Sequence, residues 1–219
     1  GLDLTRRSLL GVLKYPVLFS EVARTTWPSR DDETVPRAAW HPPKCLFDCE
    51  SDILEWILEP LSSSDRQQFR DFTAPTSTTN GRSQHMTLDT SLMELADDIA
   101  YGVHDLEDAI TLQLITREHW EEVRNKCDPD WWRAHHIDAV ERQLFDNSED
   151  SSSHRKQAVG GLVHLLVRTV TLRQQERFEA PLLRWQAELP TESLVFLRAL
   201  KDLVTRHVIL SANVQTSTY

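Results

Sequence analysis

The stretch Glu94-Leu-Ala-Asp-Asp-Ile-Ala-Tyr-Gly-Val-His-Asp-Leu-Glu-Asp-Ala-Ile110 decides the fold and carries the chemistry. Leu92, Leu95, Ile99, Val103, Leu106 and Ile110 recur every three or four positions, the period of an amphipathic helix. Thr90 or Ser91 starts this helix, which is predicted to run to about Leu114. Asp97, Tyr101 and Asp105 stand at i, i+4 and i+8, so they form one line along a helix face. Glu94 and Asp108 extend the line, and Asp98 and Glu107 add charge beside it. By pattern alone this could be a solvated acidic face opposite an apolar one. Tyr101 and Gly102 fit that reading poorly. A phenol interrupts the acidic line, and a mid-helix glycine costs about 1 kcal/mol relative to alanine. Gly102 is therefore expected to mark the close approach of another backbone or of a ligand.

Working outward, the punctuation predicts further helices and no strand. Thr5 caps a helix over Arg6 to Lys14, stopped by Pro16. Residues 25–44, with Pro28, Pro36, Pro42 and Pro43, read as a long loop. Helices are then expected over Ser51 to Leu58 and from a Ser64 cap through Phe72, followed by a polar linker over 73–83. Beyond the central helix, Thr116 caps Arg117 to Asn125, and Asp130 opens a helix through Phe145. Long helices are expected from about His154 to Phe178 and from Pro190 and Thr191 through Val208. The expected class is all-α.

Composition limits the function. The 219 residues are 40% hydrophobic and 26% charged, enough for one large or two small domains with a real core. A net charge of -10 argues against a generic nucleic-acid surface, which needs clustered Lys and Arg. A local basic pocket for a triphosphate remains compatible with it. Cys45, Cys49 and Cys127 form no disulfide framework, which favours a reducing compartment. Cys45 and Cys49 lack a second ligand pair at zinc spacing. No apolar run reaches the length of a membrane span, no signal peptide opens the chain, and the cytoplasm is the expected compartment. No Gly-rich phosphate loop is present among the six glycines, which argues against a P-loop mechanism.

The segment L-A-D-D-I-A-Y-x-x-H-D-x-E-D, Leu95 to Asp108, resembles the dGTPase-like branch of the HD phosphohydrolases. Other blocks agree with that family in the same order. They are Gly1-Leu-Asp-Leu-Thr-Arg6 with Leu13-Lys14-Tyr15-Pro16, Lys44 to Trp56, Phe178 to Arg184, and Val208 to Tyr219. The resemblance covers nearly the whole chain, and the Asp97 to Asp108 block is its specific part.

The resemblance implies a multi-helix bundle of the HD-superfamily type. Residues 1–115 would be the remainder of the catalytic core and 116–219 a C-terminal helical region. It implies cleavage of a dNTP to deoxynucleoside and triphosphate with a divalent metal (Mg, Mn or Fe) in the complete protein. Asp97 matches the family's later metal-ligand Asp, and a carboxylate oxygen suits such ions. Tyr101 and Asp105 match the positions that meet the sugar 3′-hydroxyl. Lys14 and Lys44 are candidates for the triphosphate, with Arg6 a weaker one. Lys14 could instead serve the C-terminus of its helix, and Lys44 could be a solvated loop lysine. His104-Asp105 spells HD but lies in the Asp-ligand helix. His135-His136 with Asp138 resembles a ligand cluster but follows Trp131-Trp132 in an amphipathic segment.

The family's first metal His, its HD pair and its general-acid histidines lie upstream of the block matched by Gly1. The expectation is therefore a portion of a longer enzyme, with no catalytic residue of its own and no activity alone. The alternatives are a non-catalytic helical module for oligomerisation or regulation, and an HD phosphohydrolase of another nucleotide. Apolar faces on the helices from His154 and Thr191 would suit a homo-oligomer.

Overall fold

Small polar side chains set several helix starts in the computed structural model, which describes residues 3–27 and 40–210. Helix α1, Arg6–Val12, begins where the Thr5 hydroxyl accepts the Ser8 N–H at 3.2 Å. A short α2 spans Phe19–Val22, and α3 occupies Ser51–Leu58 as its apolar spacing predicts. Helix α4, Ser63–Phe69, starts two residues earlier than expected and ends three before the expected Phe72. The cap is Ser62, whose hydroxyl accepts from the Asp65 N–H at 3.1 Å. The long α5, Leu88–Thr111, begins just before the expected Thr90. Thr87 starts it, its hydroxyl accepting the Thr90 N–H at 3.1 Å.

Among the described residues the chain is largely helical, as expected, with two short two-stranded pairings that periodicity did not show. Strands β1, Phe72–Thr73, and β2, Arg82–Ser83, pair antiparallel inside the segment read as a linker. Helix α6 spans Arg117–Arg124. The helix expected from Asp130 through Phe145 is two: α7, Pro129–Ala134, and α8, Ile137–Leu144. Asp128 caps α7 by accepting from the Asp130 and Trp131 N–H groups. His136 breaks the run, because its left-handed φ of 54° cannot continue a right-handed helix. Helix α9, Ser151–Thr169, ends nine residues before the expected Phe178. The β-branched run Thr169-Val170-Thr171 leads instead into β3, Thr171–Gln174, which pairs with β4, Trp185–Glu188. Between them lies α10, Pro181–Arg184, and α11 then runs over Thr191–Val204 into a π-helical turn at Thr205–Ile209. Of the loop 25–44, residues 28–39 lie outside the described residues, as do 1–2 and 211–219.

The chain forms two compact units, Gly1–Leu92 with Leu172–Gln186, and Met93–Thr171 with Ala187–Tyr219. In the first, Leu10, Leu13, Leu54, Ile57, Leu58, Phe69, Phe178 and Leu183 bury together. Polar links fasten this small core. The buried Asp65 carboxylate accepts the Glu179 and Ala180 N–H groups at 2.9 and 2.7 Å. The Thr87 and Thr90 hydroxyls both donate to the Gly11 carbonyl, at 3.2 and 2.9 Å. In the second unit, α5, α6, α8, α9 and α11 enclose a larger core around Trp120, Leu162, Phe196 and Leu200.

Candidate functional site

Within the second unit, the apolar stripe of α5 turns its opposite face outward. Ile99, Val103, Leu106 and Ile110 are buried. Asp97 and Asp108 are exposed, as are Ala96, Ala100 and His104, while Tyr101 and Asp105 are half-buried. The line Asp97, Tyr101, Asp105 thus lies on one continuous accessible strip of the helix. Among the described residues none hydrogen-bonds or ion-pairs with the Asp97 or Asp105 carboxylate. Two unpaired carboxylates flanking a phenol can receive a cation or a hydroxyl-bearing ligand without first breaking an internal bond.

Gly102 has the crowding its position predicted, and the neighbour is α11. A Cβ there would lie 2.8 Å from Leu197 Cδ1 and 3.3 Å from Lys201 Cγ. The missing side chain lets α11 pack close enough for Lys201 to reach around α5. Its ammonium ion-pairs with Asp98 and stands 5.5 Å from the centre of the Tyr101 ring. Lys201 carries no sign of this in the sequence. It sits one hundred residues beyond Tyr101, on a helix whose spacing advertises only apolar packing.

In the first unit, the two lysines picked out by resemblance come together. Leu46 N–H donates to the Val17 carbonyl and Phe19 N–H to the Leu46 carbonyl, both at 2.9 Å. Leu18 and Leu46 form a parallel bridge. This pairing brings Lys44 beside Lys14, although thirty residues separate them. Their ammonium groups lie 5.7 and 5.4 Å from the Tyr15 ring centre. Lys44 is exposed and Lys14 half-buried. Arg6 is engaged elsewhere, stacked 4.4 Å over Trp56 and paired with Glu59 at 2.5 Å.

The remaining sequence signals resolve into ordinary structural roles. His104 is exposed and stands 4.0 Å from Glu107, one turn on. His135 packs on Trp131 with ring centres 4.6 Å apart, and His136 is exposed at the helix break. Asp138 accepts from the Trp132 indole at 2.8 Å and pairs with Arg124. Cys45, Cys49 and Cys127 are all free thiols, and burial pushes the Cys127 thiol up to about 11. Among the described residues no group of three or more His, Cys, Asp or Glu side chains could hold a metal. Asp97 is an exposed carboxylate that belongs to no such group.

No family model matches the chain. Curated relatives match all of it. It is 38% identical to the deoxyguanosinetriphosphate triphosphohydrolase-like protein of Aliivibrio fischeri (strain ATCC 700601 / ES114), over 232 aligned residues. Identity is 39% with the protein of the same name from Pasteurella multocida (strain Pm70) and 36% with that from Vibrio parahaemolyticus serotype O3:K6. The chain spans about half the length of these relatives, 51%, 50% and 51% respectively.

Proposed function

Since this chain matches, along its whole length, about half the length of each of these deoxyguanosinetriphosphate triphosphohydrolase-like proteins, we propose that it is the part of a metal-dependent dNTP triphosphohydrolase that reads the sugar and holds the phosphates. The observation that carries the proposal is the accessible line of Asp97, Tyr101 and Asp105 on α5, its two carboxylates without an internal partner among the described residues, in a chain with these relatives. In this reading Asp97 gives one oxygen to a Mg, Mn or Fe ion, and the other donors come from beyond the described residues. The bound ion would supply Lewis acidity at the α-phosphate.

The chain's own residues bind and orient. Asp105 accepts a hydrogen bond from the sugar 3′-hydroxyl, and the Tyr101 phenol packs against or bonds to the same edge of the sugar. Lys14 and Lys44 hold the triphosphate. Their ammonium groups stand 5.4 and 5.7 Å from the Tyr15 ring centre, compact point charges of the kind a polyanion calls for. Residues 1–115 would then belong to the catalytic half and 116–219 to an accompanying helical region. The working protein would be a cytoplasmic homo-oligomer.

The test uses a protein that joins residues 1–219 to the segment matching the rest of the relatives' length. With Mn or Mg it should convert a dNTP to deoxynucleoside and triphosphate. Asp97→Ala should lower turnover at least a hundredfold and weaken metal binding, as loss of a metal ligand does, roughly in proportion to lost affinity. Residues 1–219 alone should show no turnover. Preference for ribonucleotides would sink the sugar roles of Tyr101 and Asp105. A second reading, a non-catalytic module for oligomerisation or regulation, is favoured by the incomplete donor set among the described residues. It predicts no hydrolysis in the longer protein either.

A further inference from the structure

We infer that Lys201 is a positioning residue for the sugar-reading phenol, acting through the triangle it makes with Asp98 and Tyr101. The inference rests on the proposed role of Tyr101. Asp98 and Tyr101 stand at i and i+3 on α5, so their side chains are neighbours on one face. Lys201 arrives from α11 and touches both. Its ammonium is fixed by the Asp98 carboxylate and lies 5.5 Å from the Tyr101 ring centre, within cation–π range. Gly102, next to Tyr101, removes the Cβ that would push α11 and the Lys201 stem away.

A half-buried tyrosine on a helix can still sample more than one rotamer. Here a charge tethered to the same helix holds the face of the ring, and this restricts the direction of the phenolic hydroxyl. Pre-setting that direction removes rotamer entropy that substrate would otherwise have to quench. Lys201 need not touch the substrate to do this, and its charge is already neutralised by Asp98. Its effect should fall on how well the sugar is recognised.

The test compares variants in the longer protein described above, after each is shown by its melting curve to fold. Lys201→Met keeps the stem beside Gly102 and removes the charge. It should lower kcat/KM for the dNTP roughly three- to tenfold, the range expected for a partly exposed cation–π contact. The ratio of deoxy- to ribonucleotide kcat/KM should fall with it. Lys201→Arg should restore most of both. On a Tyr101→Leu background, Lys201→Met should change neither further, because the positioned group is gone. Should Lys201→Met not fold, Asp98→Asn takes its place. It frees the ammonium and should shift the same two quantities in the same direction.

If Tyr101→Leu lowers sugar discrimination but Lys201→Met and Asp98→Asn leave it unchanged, the positioning role is overturned and the proposed function stands. Additive losses in the double variant would also overturn it. If Tyr101→Leu itself has no effect, the sugar-reading role fails first, and the positioning role with it.

Discussion

Around Leu58 and Phe69 the first unit closes a small core from short helices and leans on buried polar fasteners, whereas around Trp120 the second unit builds its core from long helices packed face to face. The difference follows from helix length. A helix of seven or eight residues buries one to three side chains, too little to hold its angle by apolar contact alone. Asp65, binding the N–H groups of Glu179 and Ala180, supplies direction that the apolar contacts lack. In the second unit, α5, α9 and α11 run for 24, 19 and 14 residues and bury continuous stripes. There, ridges packing into grooves fix the geometry. The functional consequence is that the acid–phenol–acid line sits on the longest helix, backed by the larger core. A rigid support of this kind suits a group that must measure a ligand.

This contrast can be broken from either side. The largest loss is expected from Trp120→Ala, which empties a fully buried position. It should cost the second unit about 3–5 kcal/mol, read as an earlier denaturant midpoint. Asp65→Ala should cost the first unit about 2 kcal/mol by stranding two part-buried N–H groups. Asp65→Asn, which keeps one acceptor oxygen, should lose less. If Asp65→Ala proved neutral while Trp120→Ala did not, the fastener account of the first unit would be wrong.

The smallest effect is a pH slope confined to the first unit. His85 is 7% exposed and meets Phe178 edge-on. Burial, and secondarily the Arg177 charge, lowers its pKa from the usual 6.5, with Asp71 opposing. The unfolded chain therefore binds a proton near pH 6.5 that the folded unit refuses. The stability His85 contributes is full above that pH and declines as pH falls through it. Thermal melts at pH 7.5 and 5.5 should show this decline, and His85→Phe, which keeps the ring contact, should flatten it.

The sequence was most legible where one helix face explains itself. Helix α3 begins and ends where its apolar spacing says, and α5 buries Ile99, Val103, Leu106 and Ile110 as their periodicity requires, whereas Leu92 of the same expected stripe is 44% exposed. It was least legible where a local preference competes with a distant partner. The break at His136 needs a left-handed residue that no glycine announces. The end of α9 depends on β4, sixteen residues beyond Thr169, offering a strand to pair with.

The candidate site divides in the same way. That Asp97, Tyr101 and Asp105 share a line follows from the 3.6-residue turn of one helix, and the chain needs nothing else to place them so. That Lys44 joins Lys14 at Tyr15, and that Lys201 meets Tyr101 and Asp98, depends on backbone pairing and helix packing across thirty and one hundred residues. Spacing along a helix is fixed by local bond geometry, whereas contact between distant segments exists only after the core has closed and set their separation.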